Sequence, residues 1–336
     1  MQFRNMISCV DAHTAGEPIR VVTSGFPRIY GKTMMEKRAY VLEHLDHYRK
    51  FLMREPRGHA AMYGAIIGPP VTEDGDLGVL FIENGGMGTM CGHGTIGVSK
   101  VVFDTGILPA KEGVNSLKLD VPAGRVVSFV EIHDGVVDKI YFNNVPAFLY
   151  KSDLKVPVKG VGDVLADVCF GGAFYIFVEA AQLGLEVKPE NVEKLKDFGM
   201  EIRKTVSEMY EIVHPENPDI HWIYGTVLMT LPQTKDNRLV VRNVCIFGDA
   251  EVDRSPCGTG TCARMAQLYA KGVMKPGMIL ENHSIIDTVF EGSIIGESTI
   301  AGHPAILPQV SGMAWISGFN NLLLEKTDPM MDGFVI

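Results

Sequence analysis

Cys91-Gly92-His93-Gly94-Thr95 and Cys257-Gly258-Thr259-Gly260-Thr261 are one pattern, C-G-x-G-T, written twice. The copies lie 257 − 91 = 166 residues apart, close to half of a 336-residue chain. The offset extends beyond the pattern, since Phe81 maps to Phe247 and Gly106 to Gly272. Each copy leads into an apolar segment that stops at a glycine, which predicts helices over residues 95–104 and 261–270. Ile96, Val98, Val101, Val102 and Phe103 spread around the first helix. Cys262, Ala263, Met265, Ala266, Leu268 and Ala270 make the second small and apolar, interrupted by Arg264 and Lys271. Helices that are apolar nearly all round are buried, so each is expected at the centre of its own half, wrapped by sheet. The repeat therefore reads as a duplicated unit that sets two cysteines in equivalent places.

Working outward, strands are expected at residues 7–10, 19–22, 62–67 and 78–82. A surface helix is expected over 34–52, where Leu42, Leu45, Tyr48 and Leu52 keep helical spacing. Residues 115–150 alternate like strands, with turns at Pro122-Ala123-Gly124 and Asp134-Gly135. The second half repeats the plan with a strand at 176–179, a helix at 190–210, and strands at 223–230 and 239–247. From residue 278 the chain reads as short strands and turns. Residues 154–162, with Lys155, Pro157, Lys159, Gly160 and Gly162, read as the boundary. The expectation is an α/β (α+β) fold of two domains, each a mixed or mostly antiparallel sheet around a buried helix. Residues 1–155 carry Cys91 and 160–314 carry Cys257, and a last strand near 315–336 returns to the first domain.

Composition sets the class. Hydrophobic content of 46% and charged content of 21% are those of a soluble globular chain. A formal net charge of −9 without any Lys/Arg run argues against nucleic acid and anionic membrane as partners. No apolar run is long enough for a membrane span, and residues 1–5 lack a signal-peptide core. The 6 cysteines (Cys9, Cys91, Cys169, Cys245, Cys257 and Cys262) are too sparse for a disulfide framework, so a reducing cytoplasm is expected. Without a C-x-x-C or paired histidines, no metal site is expected. No nucleotide-binding glycine motif is present.

A C-G-x-G-T that opens a helix has a chemical use. The helix start offers unpaired N–H groups and partial positive charge, which suit a carboxylate. A thiolate is also stabilised at such an end. Two such ends with one sulfur each suit proton exchange at a carbon next to a carboxylate. One sulfur removes the proton from one face while the other delivers a proton to the opposite face, without cofactor. Cys9, Cys169, Cys245 and Cys262 fall within predicted strands or helix and read as core. Asp253 precedes Cys257 by four residues, and its match in the first copy is Met87, as 253 − 166 = 87. That asymmetry fits a site that must hold a cationic amine on one side, although Asp253 could instead cap a turn or pair with Arg254. His93 stands where the second copy has Thr259. Glu55 is expected to pair with Arg57 or Arg54, and His13 and Glu17 to order their loop.

At these residues the chain resembles the proline racemase family, which also holds 4-hydroxyproline 2-epimerases and trans-3-hydroxyproline dehydratases. The carrying motifs are Met90-Cys91-Gly92-His93-Gly94-Thr95-Ile96-Gly97 and Asp253-Arg254-Ser255-Pro256-Cys257-Gly258-Thr259-Gly260-Thr261. His13–Pro18, residues 55–59, residues 144–148 and the ending Asp328-Pro329…Asp332-Gly333-Phe334 support them, so the resemblance spans the chain. It implies two domains related by a pseudo-twofold, a diaminopimelate-epimerase-like fold, no cofactor and commonly a homodimer. It implies that Cys91 and Cys257 are the acid and base. Gly92, His93, Gly258 and Thr259, with Gly94 beside them, would hold the carboxylate, and Asp253 the ring nitrogen. Dehydratases of the family typically carry threonine at the second motif, so Cys257 favours a two-base racemase. Proline racemases carry an aromatic pair, which Phe247 matches and Tyr63 alters. The expected activity is interconversion of L- and D-proline. Epimerisation or dehydration of a hydroxyproline is the nearest alternative, and non-catalytic amino-acid binding is a distant one.

Overall fold

The structure, a computed structural model, describes residues 3–335. The chain divides into two units, one of residues 1–141 with 313–336 and one of residues 142–312. Residues 154–162 are therefore not a linker. The strand Ala147–Val158 pairs antiparallel with Gly162–Phe170, and Val158 lies opposite Gly162. Gly160 and Gly162, at φ 77° and 105°, make the turn between them. Lys155 and Pro157 alternate with buried Val156 and Val158 on the exposed side of one strand.

In the first unit, Phe3–Thr14 pairs antiparallel with Glu17–Ser24 on one side and with Ala314–Glu325 on the other. Glu17–Ser24 runs parallel to Tyr63–Gly68, and the crossover is a helical segment: Met34–Tyr40, a π-helical turn at Val41–Leu45, then Asp46–Met53. This segment is not a simple surface helix. Val41, Phe51, Leu52 and Met53 are buried against Ile7, Cys9, Ile66 and Ile82. Tyr63–Gly68 then pairs antiparallel with Leu77–Glu83. A second parallel step joins Leu77–Glu83 to Gly113–Val121, and its crossover is the helix Gly92–Asp104. Gly113–Val121 finally pairs antiparallel with Gly124–His133.

The second unit repeats that order. Gly162–Phe170 pairs antiparallel with Phe174–Glu179, which runs parallel to Ile223–Met229 after the helix Val192–Met209. Ile223–Met229 pairs antiparallel with Arg238–Phe247, which runs parallel to Ile279–His283 after the helix Gly258–Ala270. Val289–Ile300 and His303–Gly312 follow as antiparallel strands. They are longer than the short strands expected from residue 278 onward. Ala305 and Ile306 pair back to Phe148 and Ala147, so these strands close into a barrel.

Each unit holds its C-G-x-G-T helix in its core. Ile96, Val98, Val101 and Val102 are fully buried in the first, and Cys262, Ala263 and Met265 in the second. Arg264 does not break the second helix, because its charge is met inside the barrel. Its Nη2 donates to Thr230 O at 3.1 Å, and Nη1 donates to Gln267, which in turn donates to Asp167. Lys271 Nζ lies 2.6 Å from Asp167 Oδ2. Burial lowers the Arg264 pKa to about 10. Phe148 closes the ring and packs against Phe170, Phe174 and His214 with no exposed surface. Phe148→Ala should cost about 3–5 kcal/mol of stability, read as a lower denaturation midpoint at constant slope. A shift within error would mean the ring closure contributes little. Among the described residues, no helix is long and apolar enough to cross a membrane.

Candidate active site

Both cysteines occupy the N-cap of their central helix, and the motif threonine has the same task in each copy. Thr95 donates its N–H and hydroxyl to Cys91 O at 2.9 and 2.8 Å, and Thr261 donates both to Cys257 O at 2.7 and 2.7 Å. The second glycine has a shared reason as well. A Cβ on Gly94 would lie 3.1 Å from Cys91 Sγ and 2.8 Å from Phe81, and one on Gly260 would lie 2.8 Å from Cys257 Sγ. A methyl group at Gly260 must move the sulfur, and one at Gly94 must move the Phe81 ring and crowds the sulfur. Gly94→Ala and Gly260→Ala should each lower turnover by about 10²-fold, the scale of a 1 Å misplacement. Steady-state assays of the two variants beside the parent decide this, and parental turnover in either would show that the sulfur need not stay put.

The two settings are otherwise not equivalent. Cys91 has extended backbone (φ −143°, ψ 120°), and its Sγ accepts from Gly94 N at 3.3 Å. His93 lies within the same turn, with Nδ1 3.2 Å from Cys91 Sγ. The His93 ring meets Tyr63 edge-on at 4.7 Å, and its carbonyl accepts from Thr14 Oγ1 at 2.9 Å. Tyr63, His93 and Cys91 are all buried. The first half-site thus joins four candidates (Cys91, His93, Gly94 and Tyr63), with Gly92 as the first helical residue.

Cys257 instead has φ 65° and ψ 102°, a conformation that costs an ordinary side chain free energy. The turn before it is tied by Asp253, whose Oδ1 accepts from Ser255 N at 2.8 Å and from Ser255 Oγ at 2.7 Å. Ser255 Oγ accepts from Cys257 N at 3.1 Å. Pro256 O accepts from Asn243 and Asn282 at 3.0 and 3.1 Å. Asp253 is buried, and burial raises its pKa to about 6 against the opposing Ser255 hydrogen bonds. A buried carboxyl tuned this way prefers a cation beside it before it ionises fully. Asp253 therefore does fasten its turn, while its charge remains an unusual one for a merely structural group. Cys245, expected as core filler, is fully buried, and its thiol is pushed up first by burial and then by a hydrogen bond with Cys257. Phe247 stacks on Tyr224 at 5.5 Å, and Thr259 Oγ1 lies 2.6 Å from Tyr175 Oη. Gly258 and Thr259 are the first residues of their helix.

Several expectations end elsewhere. Arg57 pairs with Asp328 at 2.8 Å rather than with Glu55, because the chain end folds onto that segment and Phe334 N donates to Glu55 O at 2.9 Å. His13 does order its loop, with Nδ1 accepting from Gly16 N at 3.4 Å while its ring stacks on Trp315 at 5.3 Å, and Glu17 is fully buried. Tyr175 and Ser255 escaped the sequence reading. Ser255 stood inside the quoted motif, but Tyr175 has no signal in the repeat. Arg49 and Arg203 also escaped it. Each reaches from a crossover helix to carbonyls ahead of a cysteine turn: Arg49 to Glu83 O and Asn84 O at 2.6 Å, and Arg203 to Gly248 O at 2.7 Å.

Duplicated α/β units, each with a cysteine opening a buried helix, define an amino-acid racemase or epimerase. The family profile described as proline racemase matches residues 9–335, and the chain belongs to that family. It is 41% identical over 336 residues to the proline racemase of Clostridioides difficile, covering 100% of both chains. It is 40% identical, again over 100% of both, to a trans-3-hydroxy-L-proline dehydratase of Burkholderia cenocepacia. Among solved structures it is similar to a hydroxyproline epimerase from Agrobacterium vitis with bound trans-4-hydroxy-L-proline. That match has a TM-score of 0.95 at 28% identity and covers 100% of this chain and 96% of the other.

Proposed function

We propose that the protein is a cofactor-independent proline racemase in which Cys91 and Cys257 work as a pair of acid and base. The observation that carries this reading is the cysteine kept at the start of both central helices, each with a glycine that leaves its sulfur room. In this reading the thiolate of one cysteine takes the α-proton from one face of the amino acid, and the thiol of the other gives a proton to the opposite face. The configuration inverts, and the two sulfurs exchange roles for the reverse reaction. The helix-start N–H groups at Gly92, His93, Gly258 and Thr259 hold the carboxylate and take up the charge that develops on it. Asp253 receives the ring ammonium, and Tyr63 and Phe247 flank the ring. Only this chain's own side chains and backbone are used.

Tyr63 supports a second reading, a hydroxyproline as substrate. It brings a phenol where proline racemases carry phenylalanine, and a hydroxyl in a buried aromatic setting suits a hydroxylated ring. Proline, trans-4-hydroxy-L-proline and trans-3-hydroxy-L-proline should be assayed side by side in D₂O. Loss of optical rotation together with α-deuteration of proline is the expected result. Inversion of trans-4-hydroxyproline with proline unchanged would transfer the assignment to an epimerase. Loss of water from trans-3-hydroxyproline alone would make it a dehydratase.

A further inference from the structure

We infer that Tyr175 is a positioning residue that aims the Thr259 hydroxyl at the carboxylate of the substrate, an inference that rests on the function proposed above. Tyr175 lies on the Phe174–Glu179 strand, with 1% of its surface exposed. Its Oη is 2.6 Å from Thr259 Oγ1, and Thr259 is itself buried. A phenol is a stronger acid than an aliphatic alcohol, so Tyr175 donates and Thr259 keeps its own proton for a further acceptor. A hydroxyl that accepts one hydrogen bond becomes a better donor of the next. Thr259 follows Gly258 in the first turn of its helix, where backbone N–H groups lack partners within the helix and favour an anion. The hydroxyl and the helix end therefore serve the same carboxylate.

The position of Tyr175 is fixed from the side. Its ring meets Tyr224 edge-on at 5.8 Å, and Tyr224 lies nearly parallel to Phe247 at 5.5 Å and 14°. The chain of contacts Thr259–Tyr175–Tyr224–Phe247 thus joins the carboxylate donor to the proposed ring wall. The first half-site is built differently. The strand matching Phe174–Glu179 is Glu17–Ser24, which carries no tyrosine, and His93 in the place of Thr259 lies against Cys91 Sγ. The donor that needs aiming is therefore in the second unit.

Tyr175→Phe removes one oxygen and keeps the ring stack. It should be compared with the parent, Thr259→Val and the double variant on whichever of the three imino acids the parent turns over. The expected result for Tyr175→Phe is a KM raised about 2- to 10-fold, as for loss of one hydrogen bond between neutral groups, with kcat within about threefold. The Kd of pyrrole-2-carboxylate, read by calorimetry, should rise by the same factor. Thr259→Val should show at least as large a change, and the double variant should be no worse than Thr259→Val alone, since Tyr175 acts only through Thr259. A parental KM and Kd in Tyr175→Phe, or effects that multiply in the double variant, would overturn the inference while leaving the racemase assignment standing. Parental turnover of none of the three substrates would end both.

Discussion

Cys91→Ser and Cys257→Ser should each lower inversion of the substrate by roughly 10²–10⁴-fold, the range that a positioned acid or base supplies. A serine hydroxyl keeps nearly the same shape but holds its proton far too tightly to act as a base at neutral pH. Binding of pyrrole-2-carboxylate should change little, because the helix-start N–H groups and Asp253 remain. The two variants need not fail alike. At Cys91 the serine oxygen can still accept from Gly94 N, but the sulfur beside His93 Nδ1 is lost. Loss of the sulfur from Cys257 removes the hydrogen bond that couples it to Cys245. Exchange of the α-proton should be followed by NMR separately for the L- and D-enantiomers. A two-base enzyme deprived of one base should keep some exchange from a single face. Inversion at parental rate in either variant would eliminate the two-cysteine mechanism, and full loss of pyrrole-2-carboxylate binding would point to a folding defect instead.

Asp253 carries the second large effect, and its sign can be worked out. Burial raises its pKa in the folded chain to about 6 from an ordinary 3.8. Between those values the folded state binds more protons than the unfolded state, so this group makes stability fall as pH rises from about 4 to about 6. The amount is about 3 kcal/mol at 1.36 kcal/mol per unit, complete above pH 6. Asp253→Asn keeps an oxygen for Ser255 but cannot ionise. The stability of this variant relative to the parent should therefore improve across that interval, read from urea midpoints at pH 4, 5 and 6. Function should move the other way. A cationic substrate pairs only with the ionised carboxylate, so the KM of the parent should rise as pH falls below about 6. Asp253→Asn should raise KM by about 10²-fold or more, since removing one partner of a buried charge pair costs 2–5 kcal/mol, and should flatten that pH dependence. A variant with the parental KM would remove Asp253 from substrate binding.

Much of the fold could be read from the repeat because it rests on local demands. The second glycine of each C-G-x-G-T, Gly94 or Gly260, sits where a Cβ would crowd the sulfur next to it, and the following helices are apolar because sheet surrounds them. Other features depend on contacts distant in sequence. Residues 154–162 misled because a β-hairpin turn and a linker use the same glycine, proline and lysine. The strands after residue 278 looked short because Gly292 and Gly296 lie inside Val289–Ile300. Gly292 marks a close approach of the central helix rather than a turn, and a Cβ there would sit 2.7 Å from Met265 Sδ. The cysteines could be matched by sequence, but not the positive φ of Cys257, which comes from the Asp253–Ser255 turn. Tyr175 had no partner in the repeat, and its role is visible only through the 2.6 Å contact with Thr259.

The pairing of Ala314–Glu325 with Phe3–Thr14 also sets a timetable for synthesis. The second unit is continuous in the chain, and every strand of its barrel has been made once residue 312 leaves the ribosome. The first unit's strand Phe3–Thr14 must wait for its partner Ala314–Glu325, which is made only after every strand of the second unit. During that wait, one edge of Phe3–Thr14 lacks the neighbour it has in the finished protein, which is when strands are most open to wrong partners. The later copy of the duplication should therefore be the first to fold, and chains truncated after residue 312 and released from the ribosome should resist protease in residues 142–312 but not in residues 3–141.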